Sequence, residues 1–251
     1  MNSPSYAVNA VNAFRAERIK ITTLRSLWLA PLLSVLLTAG VTAAVGAALG
    51  DKDHHITDDP GVGIFYGLNF GQAVLVAFGV LLIGQEFNTR MIDVSLAAVP
   101  RRGRLYGAKL ALGALIGLGV GALGTAGAFA GYAATVPADW HGPAFARAAT
   151  AGVLYPALLV VLCLGLTALL GNLTAAMGLL APTVFLLSPM LAGLPVARHV
   201  FQFLPDRAGQ YALRYVDDPQ TAYGHWTGLL IMAFWTALAA YGGLRAMRRA
   251  K

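Results

Sequence analysis

The string Gly119-Val-Gly121-Ala-Leu-Gly124 matches, letter by letter, the glycine pattern that cradles a dinucleotide pyrophosphate. That chemistry needs a strand ahead of the first glycine and a helix opening behind it, so that backbone N–H groups point at the anion. Here the glycines lie in the middle of a charge-free run, Leu110–Ala138, which reads as one continuous helix, and the nucleotide reading fails. Gly103–Lys109 (GRLYGAK) approaches a phosphate loop, but its spacing is wrong and Leu110 stands where Ser or Thr must hold Mg²⁺. The histidines are His54, His55, His141, His199 and His225. His54-His55 sits among Asp51, Asp53, Asp58 and Asp59 and could hold a divalent metal loosely, but the spacing is not diagnostic, and a solvated loop is the better reading. No Ser/His/Asp or Cys/His set is identifiable, and the lone Cys163 falls inside an apolar run, where it reads as a packing residue. The sequence therefore gives no catalytic residue, no metal ligand and no ATP site, and the chain is not expected to be an enzyme.

The elements around these residues explain why. Residues 148–197 contain no Asp, Glu, Lys or Arg, and neither do Ser26–Gly50, Pro60–Gln85, Leu110–Ala138 or Pro219–Leu244. A soluble helix keeps one face wet and charged. A bilayer imposes the opposite demand, since one charge at the centre of a spanning helix costs about 2.5–3.5 kcal/mol. The composition agrees: 57% hydrophobic and 12% charged, with a mean hydropathy of +0.66, against about 25% charged in soluble domains. A span takes about 20 apolar residues. Each shorter run holds one span, and the longest holds two, divided at Gly171-Asn172 where two helix breakers meet. The expected fold is an all-α integral membrane protein forming one transmembrane domain over residues 1–251. Its six spans are expected near Leu27–Leu49, Gly61–Ile83, Leu110–Thr135, Thr150–Leu170, Thr174–Leu191 and Gly224–Leu244. Too little chain remains outside them for a soluble catalytic domain. No cleavable signal peptide is expected, because the first apolar run is too long and follows a polar arm.

The net charge of +7 is distributed as topology demands rather than as nucleic-acid binding would. Basic residues cluster in the N-terminal arm (Arg15, Arg18, Lys20, Arg25), in the loop after span two (Arg90, Arg101, Arg102, Arg104, Lys109) and in the tail (Arg245, Arg248, Arg249, Lys251). The alternate loops carry most of the acids. By the positive-inside rule both termini and the second-to-third loop face the cytoplasm, in a multi-pass protein of the cell membrane with lipid headgroups as its default partner.

Residues 8–25 read as an amphipathic interfacial helix, with Arg15, Arg18, Thr22 and Arg25 on one stripe and Phe14, Ile21, Leu24 and Trp28 beside it. Residues 86–99 read as a second cytoplasmic helix. Glu86, Arg90 and Asp93 form a narrow strip, Phe87, Met91, Val94 and Ala98 form an apolar face, and Pro100 stops it ahead of Arg101 and Arg102. A helix this apolar must be covered, either by the inner ends of the spans or by a partner. Residues 193–223 are too broken to span and too apolar to float, and are expected as short extracellular helices capping the bundle. Gly63, Gly67 and Gly71 share a face of span two, and Gly113, Gly117 and Gly121 a face of span three. Such stripes serve close helix packing, with subunit contact as the lesser reading. The polar residues of span two, Tyr66, Asn69 and Gln72, are neutral and are candidates for a substrate path. Spans free of ionisable residues lack the coupling charges of many ion-driven transporters, so energy should come from a partner.

The run Gly84-Gln-Glu86-Phe87-Asn-Thr-Arg90-Met-Ile-Asp93, followed by Pro100-Arg101-Arg102 and then Lys109, resembles the ABC-2 type permeases, the membrane subunits of ABC exporters, in their actinobacterial form. An acidic–aromatic pair there closes span two, a short helix follows, and a Pro-Arg turn and a Lys open span three. The basic interfacial helix, the six spans and the outer Leu204-Pro205…Ala208-Gly209-Gln210 fit the same pattern, so that the resemblance covers nearly the whole chain. It implies a coupling helix at Glu86–Val99 gripped by a separate cytoplasmic ATPase, which holds the ATP and Mg²⁺ while this chain holds no cofactor. Glu86, Phe87, Arg90 and Asp93 become the contact, and Arg101 and Arg102 either join it or anchor to lipid phosphates. It implies a second permease copy, as a homodimer or with a different permease. The uncharged spans suggest an amphipathic or hydrophobic cargo (drug, antibiotic, peptide or lipid-like). The rival is a membrane scaffold or sensor that transports nothing and docks a cytoplasmic partner through residues 84–109.

Overall fold

The computed structural model describes residues 19, 25–49, 59–89, 102–136 and 142–249. Among them the chain is helical and contains no strand. In order the helices are α1 (Arg25–Leu49), α2 (Pro60–Ile64), α3 (Leu68–Asn88), α4 (Arg102–Thr135), α5 (Pro143–Leu170), α6 (Leu173–Pro182), α7 (Ser188–Gly193), α8 (Pro195–Phe201), α9 (Pro205–Tyr211) and α10 (His225–Arg249). A π-helical stretch, Thr183–Leu187, joins α6 to α7. Six helical units among the described residues are long and apolar enough to cross a membrane: α1, α3, α4, α5, the α6–α7 unit and α10. Helix is the form these runs must take in lipid, where no water is present to satisfy a backbone N–H or carbonyl. The interfacial helix expected over residues 8–25 lies outside the described residues apart from Ile19 and the Arg25 start of α1.

Helices α3 and α5 form the centre, with Leu75, Phe78, Ile83, Leu159, Val160 and Leu164 all buried. Helices α1, α6–α7 and α10 lie outside them and expose Leu32, Leu36, Leu186, Met190, Phe234 and Leu238. Exposed leucine and phenylalanine in such number would be a liability in water and suit contact with acyl chains.

The division of α5 from α6 is local chemistry. Gly171 takes φ +62°, the left-handed conformation that only a residue without Cβ adopts cheaply, and its N–H reaches the Thr167 carbonyl. Asn172 then caps α6, its side chain accepting from the Ala175 N–H at 3.0 Å. In α6–α7 the cause is proline. Pro182 and Pro189 each lack an amide hydrogen, and between them the Ser188 N–H bonds the Thr183 carbonyl, five residues back.

Span two departs from expectation. Rather than one helix from Gly61 to Ile83, it consists of α2, a turn over residues 65–67, and α3, which runs on to Asn88. The groups freed by the turn are taken up by α1. Thr42 Oγ1 donates to the Ile64 carbonyl and accepts from the Gly67 N–H, at 3.0 and 3.1 Å, and Ser34 Oγ donates to the Gly71 carbonyl at 2.9 Å. Three buried side chains of α1, Ser34, Thr38 and Thr42, thus face the break. The approach is so close that a Cβ on Gly67 would run into the Thr38 carbonyl. Other boundaries also extend beyond the apolar runs: α4 starts at Arg102, α5 at Pro143, and α10 ends at Arg249.

Residues 194–224 do not float over the bundle. Helix α9 inserts between α5 and α10 so tightly that a Cβ on Gly209 would strike Met232 Sδ and the Tyr155 ring. Met232 lies about 10 Å along α10 from its first residue, so this segment dips well below the helix ends. Asp59 ties it to span two, its Oδ1 accepting from the Gly61 N–H and the Tyr215 N–H, both at 2.8 Å.

Candidate functional site

Besides the α1 hydroxyls at the break in span two, polar assemblies interrupt the apolar bundle at each end of the described residues. At the end where α3 stops and α4 starts, Lys109 Nζ donates to Glu86 Oε1 at 2.7 Å. Both side chains are out of solvent, at 0% and 4% exposure. The pair joins the last turn of α3 to the second turn of α4 and so closes the base of the loop between them. Tyr106, one turn before Lys109, is also buried, and its hydroxyl lies against the position where Gly243 of α10 would carry a Cβ. Taking both charges out of water is expensive unless they meet.

This overturns the expectation that Glu86 stands on an exposed strip with Arg90 and Asp93. The local helical wheel puts these residues on one side, but α4 packs over Glu86 and supplies the counter-charge. Phe87 is half-buried against the hydrophobic core. Helix α3 ends at Asn88, with Thr89 as its cap. Arg90, Asp93 and Arg101 lie outside the described residues, as does most of the helix expected over residues 86–99; Arg102 is the first residue of α4.

At the opposite end, Gln72 of α3 is buried, and its Oε1 accepts from the Tyr155 hydroxyl at 2.6 Å and from Gln210 Nε2 at 2.7 Å. Tyr155 is wholly buried in α5, and Gln210 belongs to α9, so the network pins the inserted segment to both central helices. Above it opens a cavity of about 510 Å³. Phe65, Leu68 and Leu213 give it an apolar wall, and Arg198, Arg207 and Arg214 a cationic one. Arg207 Nε donates to the buried Asp206 at 2.9 Å, while Asp218 is shared by Arg198 and Arg214. Burial raises the Asp218 carboxyl, but the Gln220 N–H and the Arg198 and Arg214 guanidiniums outweigh it and hold the group below the usual carboxylate range. Burial likewise pushes the Tyr215 and Tyr223 phenols up to about 12. Arg147 of α5 holds the backbone behind Arg214, its Nη2 donating to the Arg214 carbonyl at 2.8 Å.

Of the neutral residues expected on a substrate path, Asn69 lines the cavity and donates to the Tyr66 carbonyl, Tyr66 is half-buried, and Gln72 lies beneath in the network. The six glycines of the two stripes are all buried within the chain. Gly63 faces the Tyr132 ring, Gly67 and Gly71 face α1, and Gly113, Gly117 and Gly121 face Val160, Ala157 and Val153 of α5. They are filled by the subunit's own helices, so a second copy would meet a different surface.

Sequence reasoning missed Tyr155, Gln210 and the burial of Lys109. Lys109 had a legible signal: it is the last charge before a long uncharged run, as Glu86 is the first after one, with the loop between them. Tyr155 and Gln210 carried none, since nothing in the sequence shows that residues 194–224 fold inward.

Compared with known proteins, the chain matches no family model and no curated sequence.

Proposed function

We propose that this chain is the membrane-spanning subunit of an ATP-driven exporter of the ABC-2 type, which moves an amphipathic or hydrophobic cargo outward with energy from a separate ATPase. The observation that supports this reading best is the Glu86–Lys109 pair. A partner that pulls on the loop between α3 and α4 pulls on a base locked by a buried ion pair, so the displacement passes to two spanning helices together. Glu86 then acts as an anchor rather than a contact. The contact itself falls to Arg90 and Asp93, together with Arg101 and Arg102. Helix α3 also lines the far cavity, so one rigid element links the driven end to a polar chamber at the other. Both termini and this loop face the cytoplasm, and two copies of the chain assemble across the outer helices.

The test is isolation of the tagged protein from its native membranes in mild detergent, with identification of its companions and an ATPase assay. The expected result is a near-stoichiometric ATP-binding subunit, lost when Arg90 and Asp93 are both changed to Ala while the permease still inserts. A clean preparation without ATPase, or a stable companion that binds no nucleotide, would refute the exporter and favour the scaffold.

A further inference from the structure

The cavity of about 510 Å³ is lined by residues of α2, α3, α8 and α9. Its walls are of two kinds. Val62, Phe65, Leu68 and Leu213 offer carbon, and Arg198, Arg207 and Arg214 offer guanidinium, against Asp218 as the sole carboxylate among the described residues of the lining. Asp206 neutralises Arg207 from behind, at 2% exposure. Among the described residues, the other acids nearby are turned elsewhere. Asp59 serves two backbone amides, and Asp217 faces His225 at 3.2 Å with a side chain 86% exposed. Asp218 must therefore serve two guanidiniums at once, and Arg214, reaching it only at 3.5 Å, keeps a side chain 43% exposed. Arg207 also carries a shielded Nη2 with no acceptor. An arginine presents five donors, and this group uses few of them. Donors left over in a chamber with an apolar wall call for an acceptor that brings its own carbon chain.

We propose that this cavity holds the anionic head, carboxylate or phosphate, of a single-chain amphiphile, with the first carbons of the chain against Phe65 and Leu68. The head sits between Arg214 and Arg207, and Asn69 completes its donors. As the identity of the cargo, this rests on the exporter reading; as binding, it does not, and it can be measured without any ATPase.

The experiment uses the full-length protein in an uncharged maltoside detergent, titrated with dodecyl phosphate, dodecyltrimethylammonium and inorganic phosphate. Dodecyl phosphate should bind at one site and dodecyltrimethylammonium should not. Inorganic phosphate should bind at least about tenfold more weakly, because it lacks the chain. Arg214→Gln, which leaves Asp218 paired with Arg198, should weaken dodecyl phosphate about tenfold, and Arg214→Lys should restore most of it. Equal binding of the cationic amphiphile, or no effect of Arg214→Gln in a monodisperse preparation, would overturn the proposal. Inorganic phosphate binding as tightly as dodecyl phosphate would also overturn it, in favour of a small-anion site. Charge selectivity in the unaltered protein tests the idea even if the variant fails to fold. Failure here with an ATPase still recovered would leave the exporter standing and remove only its anionic cargo.

Discussion

Truncating Glu86 to Ala leaves the ammonium of Lys109 at 0% exposure without the carboxylate 2.7 Å away. Breaking a buried pair from one side costs about 3–5 kcal/mol, because the surviving charge stays out of water and has lost its nearest counter-charge. At about 2–4 °C per kcal/mol for a chain of this size, the melting midpoint should fall by about 6–20 °C. Lys109→Ala should cost a similar amount. Replacing both residues by Met removes the buried charges together, and such swaps are neutral or stabilising by about 1–4 kcal/mol. The double variant should therefore melt close to or above the unaltered protein, well above either single one. The assay is thermal unfolding of detergent-purified protein, with a double-mutant cycle on Glu86→Ala and Lys109→Ala to extract the coupling. Single variants that each shift the midpoint by less than about 2 °C, with additive effects, would refute the buried-pair reasoning.

Gly67→Ala would push a Cβ into the Thr38 carbonyl, a backbone atom that cannot swing aside. We expect α1 to be displaced and about 1–3 kcal/mol lost, seen as a lower midpoint, with Gly119→Ala, which meets open space, as the harmless control. Tyr155→Phe removes the hydroxyl that donates to Gln72. It should cost about 1–3 kcal/mol and speed amide exchange over residues 205–214, where Gln210 is tethered. Asp218 is held below its ordinary value when folded, so its contribution is full above about pH 4 and is lost as pH falls through the folded value. Pepsin should accordingly cut the 194–224 segment increasingly as pH drops below 4, and Asp218→Asn should cut readily throughout; equal rates for both proteins at pH 4 would contradict this.

The sequence carried the six-helix arrangement because burying charge in lipid is so costly that charge-free runs mark the spans. It also carried the α5–α6 division, since Gly171 and Asn172 act through local backbone geometry. It could not carry the break at residues 65–67, whose stability depends on Thr42 and Ser34 in another helix. The misreading of Glu86 has the same origin: a helical wheel assigns faces within one helix, and the face is decided here by α4. Asn69 stands out in the sequence by its polarity inside a span, whereas Arg198, Arg207 and Arg214, which line the same cavity, lie in a segment whose inward fold no local pattern shows.

The bond between Gln210 and Gln72 joins residues 138 apart. During synthesis, α3 and α5 therefore enter the bilayer with Gln72 and Tyr155 bonded to each other but without the Gln210 amide that both accept from. The interior becomes chemically complete only when α9 slides in beside α10, after nearly all of the chain has left the ribosome. Docking of α9 is thus a late step that the earlier helices await, and a chain interrupted before α9 would leave Gln72 and Tyr155 without the Gln210 amide and the gap beside α10 unfilled.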